Sequence, residues 1–253
     1  KKAADNIFTV FLCVLALAVV SPVLFIAFLS FDGGGAAYPN FFIWNPQYVN
    51  ALTNSIIISL GASVGTVVVS TLAAYVFAKV KFKGRDVLFY LYIIVMMMPF
   101  QVMLLGNYLV LDKIELLDSL LGIIFPAVFS TFPIFIMYRF FKGIPLAFLE
   151  AARLDGAGEL KLFFIVAIPL GSPGVISAIV LGFLEYWNLI EQPMAFLKTK
   201  ELWPLSLYLP NIELKQAGFA FAASVVALAP AVLVFLSGQD YLEQGIVSTA
   251  VKE

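Results

Sequence analysis

Ile144 to Gly174 reads IPLAFLEAARLDGAGELKLFFIVAIPLGSPG, an island of charge between two long apolar blocks. Leu120 to Tyr138 before it and Leu162 to Leu184 after it carry no charged residue. Between them cluster Lys142, Glu150, Arg153, Asp155, Glu159 and Lys161. Pro145 suits the first turn of a helix, where its missing N–H would be unpaired anyway. From there to Asp155 nothing breaks a helix, and Ala151, Ala152 and the leucines favour one. Gly156 takes positive φ at little cost and reads as a turn. Helix resumes at Glu159 and runs on through Pro169 and Pro173. The pattern predicts a short surface helix, a hinge, and a second helix that merges into a membrane span.

The rest of the chain supplies the membrane. Of its 253 residues 62% are hydrophobic and 12% charged, and the mean hydropathy is +1.00. No soluble domain of this size needs so much apolar surface, so the chain reads as a polytopic membrane protein in a lipid bilayer. A formal charge of −1 and the lack of a long basic tract give no platform for nucleic acid. With no histidine and a single cysteine, Cys13, an intrachain disulfide and a His/Cys metal site are both excluded. The chain begins KKAAD without methionine, so residues are expected to be missing before it, and the first apolar run is too long for a signal-peptide core.

Six spans are expected: Ile7–Leu29, Asn54–Ala78, Val87–Leu111 broken by Pro99, Leu120–Tyr138 with Pro126 and Pro133, Pro169–Glu191, and Ala217–Ser237. Asp32, Gly33–Gly35, Pro39, Asn40, Asn45 and Pro46 mark the segment after the first span as a loop. In the second span Gly61 and Gly65 stand four apart among Ser59, Ser63 and Thr66, a spacing that suits close helix packing. Of the 15 Lys and Arg, only Lys113, Lys198, Lys200 and Lys215 fall on the side opposite the charged island. Basic residues accumulate on the cytoplasmic side, which puts the island and both termini there.

Catalytic machinery is not evident. The chain lacks a G-x-x-x-x-G-K-[ST] loop to cradle ATP phosphates, and without histidine the usual nucleophile–base arrangements have no base. The chemically unusual stretch is FLEYWNLIEQP, Phe183–Pro193. Acids inside a span are costly and face a cavity or a partner. On one continuous helix Glu185, Asn188 and Gln192 share a face, with Glu191 at its edge and Phe183, Trp187 and Ile190 roughly opposite. Glu185 and Glu191 are then too far apart around the axis to act as an acid/base pair. A polar stripe along a water-filled path is one reading; the other makes Tyr186 and Trp187 interfacial belt residues and leaves Glu191 facing water.

Glu150-Ala151-Ala152, Asp155-Gly156-Ala157 and Ile168-Pro169-Leu170 together resemble the EAA loop of binding-protein-dependent ABC importer permeases. Met96–Pro126, the YRFFKGIP before the loop, Trp187-Asn188 and the ending Gly238–Glu253 resemble the sugar-permease branch, in particular its second, maltose-type subunit. The resemblance implies an all-α, six-helix, MetI-like permease. Its divisions would be residues 1–49 as first span and extracytoplasmic loop, 50–237 as transmembrane core with the coupling loop at 142–168, and 238–253 as a cytoplasmic tail. It further implies that Glu150, Ala151, Ala152, Asp155 and Gly156 engage a cytoplasmic ATPase, and that the tail reaches the ATPase dimer interface. ATP and Mg would be bound by the partner subunits, so this chain would hold no cofactor and be no enzyme. The expected partners are a homologous second permease, two ATPase subunits and an extracytoplasmic solute-binding protein, in a prokaryotic plasma (inner) membrane. Phe183, Glu185, Trp187, Asn188 and Gln192 are the candidate path residues for a sugar or oligosaccharide. A proton-coupled transporter using Glu185, or a permease of the same kind for a glycerol-phosphate-type solute, are the alternatives.

Overall fold

The computed structural model describes residues 2–31, 45–212 and 217–250. The Gly33–Gly35 loop, Lys215 and the chain end after Ala250 lie outside them. Among the described residues every regular element is helical: α1 (Lys2–Ser30), α2 (Pro46–Lys79), α3 (Arg85–Met96), α4 (Phe100–Lys113), α5 (Leu120–Val128), α6 (Phe132–Gly143), α7 (Leu146–Leu154), α8 (Glu159–Leu170), α9 (Ser172–Trp187), α10 (Glu191–Phe196) and α12 (Ala217–Ala250), with the short α11 (Leu205–Tyr208) before the last. α1, α2, the α5–α6 pair and α12 are each long and apolar enough to cross a membrane. The pairs α3–α4 and α8–α9 bend by 101° and 75° at their breaks, and counting each pair as one span gives six.

α2 is the axis of the bundle. It packs against α5, α6 and α9, while α9 also packs on α12, and α12 carries α1 on its flank. Its start lies eight residues before the expected Asn54. Asn45, read above as loop, is the N-cap: its side chain accepts the Tyr48 N–H at 3.0 Å. Pro46 follows at the first helical position, where a missing N–H costs nothing. Close approach rests on the expected glycines. A Cβ on Gly61 would meet Ile124 at 3.0 Å, and one on Gly65 would meet Val128 at 2.5 Å.

Each break in a span has a local cause. Pro99 cannot donate to the ladder, and it disfavours helix at Met98, so α3 ends and α4 starts afresh. Pro133 likewise cannot donate back to Phe129, so the ladder lapses there and α6 starts afresh at Phe132. The Ala127 carbonyl at that break accepts the Ser130 N–H at 2.9 Å and the Thr66 hydroxyl at 2.8 Å. Lipid offers no substitute for such partners. α8 contains a π-helical turn, Phe163–Ala167, and bends into α9 at Gly171, where a Cβ would run into the Phe141 ring.

Two expected ends are corrected. The fifth span stops at Trp187 rather than Glu191, and the last helix does not stop at Ser237 but is continuous to Ala250. Gly238 lies against Val180 with no room for a side chain, and Ser177 Oγ donates to the Tyr241 carbonyl at 2.9 Å. The first residues of the expected tail are therefore part of the packed bundle.

At the end of the bundle away from the charged island, Asp118 ties two loops together. Its Oδ1 accepts the N–H groups of Lys198 and Thr199, each at 2.8 Å, and Oδ2 accepts the Thr199 hydroxyl at 2.6 Å. Asp118 adopts φ 54°, a left-handed conformation that Asp tolerates better than most residues. The Thr199 hydroxyl bond first, then the Thr199 and Lys198 amides, hold its carboxyl below the usual carboxylate range. A depressed folded pKa means that the latch contributes fully above the unfolded value, about 3.9, and is lost as pH falls through the folded one. We expect slow amide exchange at Lys198 and Thr199 at pH 7, measured by mass spectrometry, and faster exchange in Asp118→Asn. Equal rates in both proteins would show that the charge does not hold the loops.

Candidate functional site

The charged island folds as its residues dictate. α7 carries one buried side chain, Leu149, and Ala152 one turn later is half-buried; Glu150, Ala151, Leu154 and Asp155 face outward. The helix ends in a paired hydrogen-bond cap. Gly156, at φ +79°, donates its N–H to the Arg153 carbonyl, and Ala157 donates to the Ala152 carbonyl, each at 3.0 Å. That double cap needs a left-handed residue at Gly156, and the second alanine of the E-A-A run supplies one of its acceptors. The expected surface helix and hinge are therefore present. Gly158 begins α8 without a side-chain cap.

Four residues outside the expected set, Arg153, Glu159, Tyr75 and Lys79, brace this loop and fasten it to the bundle. Glu159 Oε1 accepts from Arg153 Nη2 at 2.8 Å across the hinge, and Oε2 accepts the Tyr75 hydroxyl at 3.1 Å. Lys79, at the end of α2, donates to the Ile144 carbonyl at 2.6 Å, just before α7. The Glu159 bond raises the Arg153 guanidinium further above its already high range. Their signal in the sequence was faint. Tyr75 and Lys79 are i, i+4 on one helix, and only the fold brings them to the island.

The outward face of the loop is apolar as well as charged. Leu154 is 90% exposed, Leu160 73%, Leu146 58% and Phe148 55%. Glu150 and Asp155 are exposed, and among the described residues neither carboxylate has a cation within 4 Å. Large apolar side chains beside unpaired acids make a surface suited to a protein partner.

The expected path residues separate into two groups. Asn188 caps α9 and donates to the Leu184 carbonyl at 2.8 Å. Pro193 could not donate back to residue 189, so the helix does not continue, and α10 sets off separately. Glu185 and Asn188 stay together on the exposed side of α9, below Leu181. Gln192 is instead buried at the start of α10 with an unpartnered Oε1, and the four-residue stripe is not continuous. Phe183 and Trp187 stack at 5.5 Å and 16° inside the core with Tyr48 and Ala223. The Trp187 indole N–H donates to the Ala227 carbonyl at 3.1 Å. Within this chain these two rings are packing residues facing α2 and α12, not lining. Tyr186, proposed above as a belt residue, is buried, its hydroxyl 3.4 Å from the Ala127 carbonyl.

Among the described residues Glu185 has no ion-pair partner, although it lies inside a span. A carboxylate there cannot face lipid without a cost of several kcal/mol. The exposed side of α9 must therefore meet water, solute or another polypeptide.

Residues 66–248 match the model of the family described as binding-protein-dependent transport system inner membrane component. The arabinooligosaccharides transport system permease protein AraQ of Bacillus subtilis is 31% identical over 88% of this chain and 79% of its own length. The diacetylchitobiose uptake system permease protein NgcG of Streptomyces coelicolor is 28% identical over 87% of this chain and 80% of its own. The sn-glycerol-3-phosphate transport system permease protein UgpE of Yersinia pestis is 30% identical over 78% and 72%. In fold, the chain superposes on a solved bacterial ABC transporter involved in import of the acidic polysaccharide alginate, with TM-score 0.85, 22% identity, and coverage of 95% of this chain and 96% of that one. An all-helical bundle with a hinged, charged loop between spans, matched over most of its length, belongs to the family of binding-protein-dependent transport system inner membrane components.

Proposed function

We propose that this chain is one permease subunit of an ATP-driven importer for a sugar or oligosaccharide. The observation that carries the proposal is the loop: a helix with apolar residues turned outward, hinged at Gly156 and bonded to α2 through Glu159 and Lys79. Such a helix can take force from a partner and pass it to the axis of the bundle. Of two cytoplasmic ATPase subunits, which bind ATP and Mg, one would seat on Leu146, Phe148, Glu150, Ala151, Leu154 and Asp155, and the other on the second permease. A second, homologous permease would face α9, and an extracytoplasmic solute-binding protein would deliver solute at the Asp118 end. The excess of basic residues around the island supports cytoplasmic termini in an inner membrane. ATP-driven closure then shifts the bundle between two access states, and coupling exists only if partners and solute bind the two with different free energies.

A sugar substrate is supported by the relatives that carry arabinooligosaccharides and diacetylchitobiose, and by the side chains available. Glu185 and Asn188 offer acceptors and an amide donor suited to hydroxyls. The glycerol-phosphate relative raises a phosphate ester as a second reading, but the exposed side of α9 presents a carboxylate and no cation, which repels phosphate. Proton coupling through Glu185 would make uptake follow a pH gradient and ignore ATP.

Gly156→Pro tests the lever. Proline fixes φ near −65°, incompatible with +79°, and a misfit of about 3 kcal/mol lowers the competent loop population on the order of a hundredfold. We expect membrane insertion to persist and solute-stimulated ATP hydrolysis by the reconstituted complex to fall to background. A normal transport rate would remove the loop from the mechanism.

Glu185→Gln tests the path. The amide keeps an acceptor and adds a donor, so the complex should assemble and transport with altered affinity or altered preference among sugars. Loss of assembly would mean that Glu185 pairs with a cation of the second permease, since an orphaned buried charge costs about 3–5 kcal/mol. Wild-type affinity and preference for every sugar would exclude both roles.

A further inference from the structure

A cavity of about 1020 Å³ lies between the start of α3, the end of α6 and the first turn of α7. Arg85, Arg139 and Lys142 bring three cations to its wall, and Asp86 is the one acid among its lining residues. Arg85 Nε donates to Asp86 Oδ1 at 2.9 Å, which occupies that acid. The other two cations rest on aromatic rings, Arg139 at 5.5 Å from the Phe135 centroid and Lys142 at 5.4 Å from that of Tyr138. Among the described residues neither has a carboxylate within 4 Å. The rings hold both charges at the wall and leave their donors free. A smaller adjoining cavity of about 430 Å³ shares Arg85 and Asp86 and adds Lys81.

From this basic wall a stripe of exposed apolar side chains runs along α3: Val87 and Tyr90, then Leu91 and Ile94, are 64%, 65%, 51% and 61% exposed. Their spacing places them along one side of the helix. The cavity thus presents an unneutralised pair of cations at one level and a hydrocarbon-compatible surface at the next.

We infer that this cavity binds the phosphate of an anionic phospholipid headgroup, with the acyl chains lying along α3. Arg139 and Lys142 donate to the phosphate oxygens, and Tyr90 and Leu91 begin the apolar track. A free phosphate ion would match the cations and leave that track in water; a lipid matches both. Basic pockets between spans at the charge-rich end of a membrane protein are suited to such headgroups. Bound there, the lipid touches α3, α6 and the base of α7 together, so it would steady the loop against the broken third span. This assignment does not depend on the identity of the transported solute.

The test places the purified full chain in nanodiscs of phosphatidylcholine and phosphatidylglycerol in equal parts and counts retained lipids by native mass spectrometry. Phosphatidylglycerol should be retained in preference, and R139Q/K142Q should reduce that preference roughly 25-fold, about fivefold per charge. R139K/K142R should keep most of it, and the far-end control K113Q/K198Q should keep all of it. Equal retention of both lipids, or an unchanged preference in R139Q/K142Q, overturns the assignment. Displacement by millimolar inorganic phosphate would show an ion site in place of a lipid site. Loss of the bound lipid when the ATPase subunits are added would show a protein contact instead.

Discussion

Backbone hydrogen bonding at the breaks in the spans is the constraint on which this bundle depends. Three of the six expected spans are interrupted, and each interruption frees carbonyl and amide groups at depths where water is scarce. At one of these breaks a polar side chain of α2 meets that demand, and two more serve the segment before the last helix. Thr66 serves the Ala127 carbonyl between α5 and α6, Asn54 donates to the Glu201 and Trp203 carbonyls, and Ser55 accepts the Leu205 N–H. Other buried hydroxyls of α2 turn back on their own helix, Ser63 donating to the Ser59 carbonyl and Thr71 to the Val67 carbonyl. The same small residues permit the close approach of α5 at Gly61 and Gly65.

Because α2 is the common partner, anything attached to its ends is attached to the whole bundle. Tyr75 and Lys79 attach the charged loop there, one through the Glu159 carboxylate and one through the Ile144 carbonyl. The hinge at Gly156 sets the angle of α7 while Glu159 bridges both sides of the hinge. A push on α7 therefore reaches α2 through two hydrogen bonds rather than through a slack connection. At the other end, Asp118 holds the loop before α5 to the loop after α10, which keeps the far rim together.

Much of this was legible because the punctuation was strong. Pro145, Gly156 and Pro99 act through fixed φ, positive φ and a missing donor, and each breaks or starts a helix where those properties require. Hydropathy alone marks the apolar segments, four of them long enough to cross by themselves and two bent pairs that make six if each pair is one span. What escaped was decided by tertiary contact. Asn45-Pro46 fits a loop and equally a helix start, and only packing of Tyr48 decides between them. The end of α9 at Trp187 has no glycine or proline beside it; the cue was Pro193, six residues on. Gly238 looked like a boundary, yet its missing side chain admits Val180 and keeps α12 continuous. Phe183 and Trp187, candidate path residues by sequence, fill the space between α2 and α12. Glu185 and Asn188 survive as exposed polar residues because no element of this chain covers them.

We propose that the loop helix seats on an ATPase. The most direct measurement of this seating is site-directed cross-linking in the reconstituted complex. The single native cysteine, Cys13, is replaced by Ala, and Leu154→Cys puts a thiol at the outward face of α7. Cross-links from that position to the ATPase subunit are expected, with a yield that changes on ATP addition. A complex that assembles and hydrolyses ATP in response to solute, yet gives no ATPase cross-link from position 154 in any nucleotide state, would contradict it.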